Sequence, residues 1–329
     1  MRPTRTAQPP VSMGPRLTSS AAGRLRERLE TFPTVSRFLT SVCITAKSVP
    51  DGQIPLLQKL FTLCPALREL TWQLVRPQPN LEPFGQNILP FAAALTVLRG
   101  LSRMSEGLVL QIIVSCPALR VLHMESVKKA EGLVYPERIL LPHLSDLKIV
   151  NAYQPEVRLF AILVESNACT IRSLQTHLSA QGVVEALQRI RHINAVEFLS
   201  LDNEGYWRGH CAWNDERDIG RLCAFLSSCP RMRHLALGHK FHVKRLRDAL
   251  NVLCQPLISF STGLDMCEDP DATQQLLVRL LDEQHPSLDT LRCIFFLSGR
   301  ASGLAAACKA RRIRLLPSYK MRAFVLKRM

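Results

Sequence analysis

Cys116-Pro117-Ala118-Leu119-Arg120-Val121-Leu122-His123-Met124 is the stretch on which the reading of this chain turns. Apolar residues stand at the first, fourth and sixth places of Leu119–Met124, and Cys-Pro stands just ahead. The pattern recurs as Leu67-Arg68-Glu69-Leu70-Thr71-Trp72, Leu144-Ser145-Asp146-Leu147-Lys148-Ile149, Val196-Glu197-Phe198-Leu199-Ser200-Leu201 and Met232-Arg233-His234-Leu235-Ala236-Leu237. Weaker copies begin at Leu39, Leu95, Ile171, Leu257, Leu288 and Ile313. The eleven starts lie 24 to 36 residues apart, most of them 24 to 28. A period held over that many copies is the signature of a repeat architecture.

A second feature keeps the same phase. Cys64-Pro65, Cys116-Pro117 and Cys229-Pro230 precede three of the units, and Pro142, Pro256 and Pro286 occupy the same place in others. Proline ends a helix and sets the turn into an extended segment. The cysteine before it reads as a small buried apolar residue. The eleven cysteines include no C-x-x-C pair, and their odd number with no secretory signal fits reduced thiols in the cytoplasm or nucleus. Between the units, Glu106–Ser115, Val157–Ser166, Ile219–Ser228 and Ala272–Leu281 carry apolar residues at three- and four-residue spacing and are predicted helices. A strand, a turn and a helix every 24 to 28 residues predict an α/β solenoid, a horseshoe with a parallel sheet on its concave face and helices outside.

Composition agrees. Of 329 residues 47% are hydrophobic, which excludes wholesale disorder, and no uncharged run exceeds 16 residues, short of the roughly 20 that a spanning helix requires. The net charge of +15 resides at the ends: residues 1–30 carry +4, residues 300–329 carry +9, and the 269 residues between carry +2. The expected organisation is a disordered Pro/Ser/Arg-rich segment 1–23, a solenoid over 24–318, and a basic tail 319–329.

The units resemble leucine-rich repeats of the cysteine-containing type, on the strength of "CPALREL", "CPALRVL" and "CPRMRHL". Such repeats are similar to the substrate-binding portions of F-box proteins, notably the large fungal families. The resemblance implies a substrate receptor of a ubiquitin ligase, with a cullin-ligase adaptor as partner wherever an F-box precedes the repeats. The first unit begins at Leu39 and leaves no room for the forty or so residues of that box, so the chain is expected to lack it.

In such a solenoid the residues between the repeated leucines stand on the concave face. They are Glu69, Thr71, Gln73, Val121, His123, Glu125, Asp146, Lys148, Ser173, Gln175, His177, Phe198, Ser200, Asp202, His234, Ala236, Ser259, Ser261, Thr290 and Arg292. Mixed in sign and mostly polar, they suit a protein partner better than a polyphosphate, which needs dense Arg and Lys. The long step from Val196 to Met232 holds "NEGYWRGHCAWNDE", where Tyr206, Trp207 and Trp213 are residue types common at interface hot spots; the rival reading is that these rings fold back over the sheet edge. A cationic cluster, Arg231 to Arg247, and an acidic one, Asp265 to Asp271, are expected to form a modest surface network between adjacent coils, with an Arg-rich docking patch as the alternative reading.

No G-x-G-x-x-G, Walker A, G-x-S-x-G or H-E-x-x-H occurs, and His239-x-x-His242 has no second pair at metal-ligand spacing. The chain is therefore expected to be a non-catalytic protein-binding scaffold without cofactor or metal, neither membrane-bound nor chiefly a nucleic-acid binder. Two alternatives stand beside it: nucleic-acid association through the 231–247 cluster and the basic C-terminus, and a degenerate paralogue without a specific activity.

Overall fold

The computed structural model describes residues 16–17, 27, 30–31, 34, 37–46, 62–74, 82–102, 104–125, 127, 132–150, 156–176, 193–201, 216–237, 243–262, 270–296 and 302–317. These residues form one twelve-stranded sheet whose strands follow one another in chain order, every neighbouring pair parallel. The strands are β1 (Arg16–Leu17), β2 (Ser41–Ala46), β3 (Glu69–Leu74), β4 (Val97–Ser102), β5 (Val121–Glu125), β6 (Asp146–Val150), β7 (Ser173–Thr176), β8 (Phe198–Leu201), β9 (His234–Leu237), β10 (Ser259–Thr262), β11 (Cys293–Phe296) and β12 (Arg314–Pro317). Strands β2 to β12 answer to the eleven repeat units, and β1 adds an edge from within the 1–23 segment. Seven α-helices lie among the described residues: α1 (Glu82–Ile88), α2 (Glu106–Val114), α3 (Glu156–Ser166), α4 (Glu216–Ser227), α5 (Val243–Asn251), α6 (Pro270–Asp282) and α7 (Ser302–Ala310). The four predicted helices fall within a few residues of α2, α3, α4 and α6. An α/β chain with a single sheet of this order is compatible with a solenoid.

The core explains the order. Position-four residues Leu70, Leu98, Leu122, Leu147, Leu174, Leu199, Leu235, Phe260 and Ile294 are each no more than 1% exposed and stand opposite one another across the sheet. With residues of the helices they form one continuous apolar cluster from Val42 to Ile313. Helix α2 shows how a coil closes. Ser105 caps it by accepting from the Leu108 amide at 3.4 Å, and Glu106 lies in its positive first turn. Leu108, Val109, Ile112 and Ile113 are buried, and Cys116-Pro117 turn the chain into β5. Buried Asn167 ties the next coil: its Oδ1 accepts from the Leu141 amide at 2.7 Å, and its Nδ2 donates to the carbonyls of Ile139 and Leu163 at 2.8 and 2.7 Å.

Three units depart from the register read in sequence. The unit assigned to Leu288 begins three residues later, because Cys293 pairs with Ser259 and Ile294 with Phe260. Pro286–Leu288 instead makes a 3-10 turn, and Leu291-x-x-Ile294-x-Phe296 supplies the repeat. The last unit is one residue short: Arg314 pairs with Cys293, so Leu315 rather than Leu316 takes the fourth place opposite Ile294 and packs against the main core, which includes Ile313. In β4 the ladder shifts between Arg99 and Leu101, so Gly100 is an extra residue and Leu101 takes the sixth place opposite Met124. Gly100 has φ +84°, and a Cβ there would lie 1.8 Å from the Trp72 carbonyl oxygen, so only glycine fits.

The buried-thiol expectation fits Cys64, Cys116 and Cys229, which are 2%, 0% and 1% exposed. Burial pushes these thiols up to about 11, 12 and 12, so they stay protonated at neutral pH. Within the cationic cluster two ion pairs are described. Arg247 pairs with Glu283 at the end of α6, and Arg245 meets Asp248 at 3.9 Å within α5. Residues 265–269 lie outside the described residues. Among the described residues no helix is long and apolar enough to cross a membrane.

Candidate functional site

Strand alternation sends the residues between the core positions to the sheet's second face. Pairing sorts them into two rows. The third-place row runs Glu69, Val97, Val121, Asp146, Ser173, Phe198, His234, Ser259, Cys293 and Arg314. The fifth-place row runs Thr71, Arg99, His123, Lys148, Gln175, Ser200, Ala236, Ser261, Phe295 and Leu316. Buried residues of the helices belong to the main cluster, whereas the small second cluster of Phe198, Ala236, Cys293 and Phe295, with Leu316 against it, is made of strand residues alone.

The middle of this face is a polar hub. His123 Nε2 lies 3.2 Å from Asp146 Oδ2, and Ser173 Oγ donates to Asp146 Oδ1 at 2.9 Å. With the carboxylate as acceptor, Nε2 carries the proton. The hub reaches across β5, β6 and β7, which the register brings side by side. Two strands on, His234 Nδ1 and Ser259 Oγ are 2.7 Å apart. A hydrolytic triad sets imidazole between hydroxyl and carboxylate; here the carboxylate is the central member and takes both bonds. Gln175, between Lys148 and Ser200 in its row, has a buried carbonyl oxygen with no hydrogen-bond partner among the described residues.

The residues expected to form a binding surface divide into four groups. Glu69, Thr71 and Lys148 are half-buried and reach solvent. His123, Asp146, Gln175, Phe198, Ser200 and His234 share the face but are 2 to 8% exposed. Gln73 and Glu125 sit in β3 and β5, with side chains outside the described set. His177, Asp202, Tyr206, Trp207 and Trp213 lie outside the described residues, as do residues 319–329.

Thr290 and Arg292, placed on the face by the Leu288 register, are exposed ahead of β11, and the Thr290 hydroxyl donates to the Leu257 carbonyl at 3.1 Å. Cys293 and Phe295 take their places, 1% and 0% exposed. Cys293 and Phe295 escape the sequence reading because Pro286 aligns with the other unit-opening prolines, although Leu291, Ile294 and Phe296 already hold the first, fourth and sixth places. Arg99, half-buried in the fifth-place row, was missed because Gly100 interrupts its unit.

Among the described residues no group of three or more His, Cys, Asp or Glu side chains is arranged to hold a metal ion. No family model matches the chain, and no curated protein matches it.

Proposed function

We propose that the chain is a non-catalytic leucine-rich-repeat solenoid that binds a protein partner on the strand face, as the substrate-recognition part of an F-box receptor does. One observation carries the reading: the chain-ordered parallel sheet presents a long second face whose apolar cluster contains strand residues and no helix residue. Such a face displays one pair of side chains per strand at a fixed spacing of about 4.8 Å, which suits recognition of an extended protein surface. The mixed chemistry of that face, with a carboxylate-centred hub rather than an imidazole relay, favours recognition over nucleophilic chemistry.

Contact begins at the side chains that reach solvent, Glu69, Thr71, Arg99 and Lys148. A photo-crosslinking residue placed at Thr71 and, separately, at Lys148 is expected to capture the same protein in cells, while one at Arg279 on α6 does not. Capture should be lost in Lys148→Glu, and co-purification of a cullin-ligase adaptor would support the receptor form. Equal capture from the helix side would defeat the assignment of this face.

A further inference from the structure

Arginine occupies the second place of the unit on every other strand. Arg68 precedes β3, Arg120 precedes β5, Arg172 precedes β7, Arg233 precedes β9 and Arg292 precedes β11, and all five are exposed. Their backbones belong to one unbroken line of hydrogen bonds along the end of the sheet where the strands begin. Thr96 N–H donates to Arg68 O (2.8 Å), Arg120 to Thr96 (2.7 Å), Ser145 to Arg120 (2.9 Å) and Arg172 to Ser145 (2.9 Å). The line continues from Glu197 to Arg172 (2.9 Å), Arg233 to Glu197 (3.0 Å), Ile258 to Arg233 (2.7 Å) and Arg292 to Ile258 (2.9 Å). Two strand steps of about 4.8 Å set successive arginines about 10 Å apart. Arg68 donates to the nearby carbonyls of Pro65 and Leu67, and the other four form no ion pair among the described residues.

We propose that this rim is a docking surface for an acidic, extended segment of a partner protein, running across the strands from Arg68 toward Arg292. A chain in the extended polyproline II conformation advances about 3.1 Å per residue with three residues per turn, so carboxylates on every third residue share one face, recur at about 9 Å and meet one arginine each. The guanidinium fork suits carboxylates bidentately. The five arginines span eight strand steps, about 38 Å, or about 12 extended residues. A nucleic acid fits this row less well, since its phosphates follow one another far more closely and Glu197 stands in the line between Arg172 and Arg233. The surface differs from the strand face of the proposed function, and either assignment can fail without the other.

The test uses a fluorescent peptide of about 15 residues with glutamate at every third position, titrated onto the full chain at low salt by anisotropy. Arg120→Ala/Arg172→Ala/Arg233→Ala is expected to weaken binding at least tenfold. The helix-side control Arg221→Ala/Arg279→Ala/Lys309→Ala, with the same loss of charge, should change it less than twofold. A peptide of the same composition with its glutamates clustered at one end should bind severalfold more weakly. Should the triple rim variant not fold, Arg172→Gln alone is expected to cost about threefold. Equal losses in both triple variants, indifference to glutamate spacing, absence of binding, or tighter binding of an oligothymidylate through the same arginines would each overturn the proposal.

Discussion

His285 shows how much one side chain contributes to holding adjacent coils. It is buried, its Nδ1 accepts from the Ser287 amide at 3.3 Å, and its Nε2 lies 2.8 Å from Asn251 Oδ1 at the end of α5. Since Nδ1 accepts, Nε2 carries the proton and donates, so the bonded form is the neutral imidazole. Burial, and then the Arg247 charge, lower its pKa from the ordinary value of 6.5, with Glu283 opposing. The unfolded chain therefore takes up the proton first, and stability contributed by this site is full above about 6.5 and lost as pH falls toward the lower folded value. Urea unfolding between pH 7 and 5 should show a smaller loss on acidification in His285→Gln than in the parent chain; equal slopes would exclude the site as a contributor. Gly100 makes the second case at this scale. With φ +84° and the Trp72 carbonyl in the way of a Cβ, Gly100→Ala is expected to cost about 3 kcal/mol, read as a lowered urea midpoint. An unchanged midpoint would contradict the bulge.

At the scale of the element, the sequence made the strands legible wherever one rule sufficed. Apolar residues at the first, fourth and sixth places with Cys-Pro ahead located β3, β5 and β9, because a buried strand next to a buried turn leaves an apolar trace at fixed spacing. The trace misled where a turn lengthened. Before β11 a 3-10 turn over Pro286–Leu288, held by the Ser287 hydroxyl donating to the Leu250 carbonyl at 2.6 Å, delays the start of the unit by three residues, from Leu288 to Leu291. The face was legible in its polar half, from His123 to Ser200, as residue types and positions. Its burial was not, because exposure of a strand residue depends on what neighbours it across the sheet rather than on its own sequence context. The corrected register can be checked directly. Phe295→Asp, which places a charge at a position 0% exposed, is expected to destabilise the chain by about 4 kcal/mol. Arg292→Asp, at an exposed position, should change stability by no more than about 0.5 kcal/mol. The opposite ranking would restore the Leu288 register.

At the scale of the whole molecule, the account depends on coils that touch only their neighbours. The main apolar cluster extends from Val42 to Ile313 without a break, so each coil contributes one layer to a shared interior and buries little alone. The same geometry lines up the second-place arginines and sets two face residues per strand, which is why the proposed partner surfaces follow from strand order rather than from any single motif. The most direct measurement is pulsed electron paramagnetic resonance on spin-label pairs, with Arg68 as the fixed site and Arg172, Arg233 or Arg292 as the second, in a chain whose exposed Cys169 and Cys254 are replaced. Strand order places these sites four, six and eight steps from Arg68, about 19, 29 and 38 Å before twist and curvature shorten them. The account predicts distances that lengthen in the order Arg172, Arg233, Arg292. A pair to Arg233 or Arg292 shorter than the pair to Arg172 would contradict it.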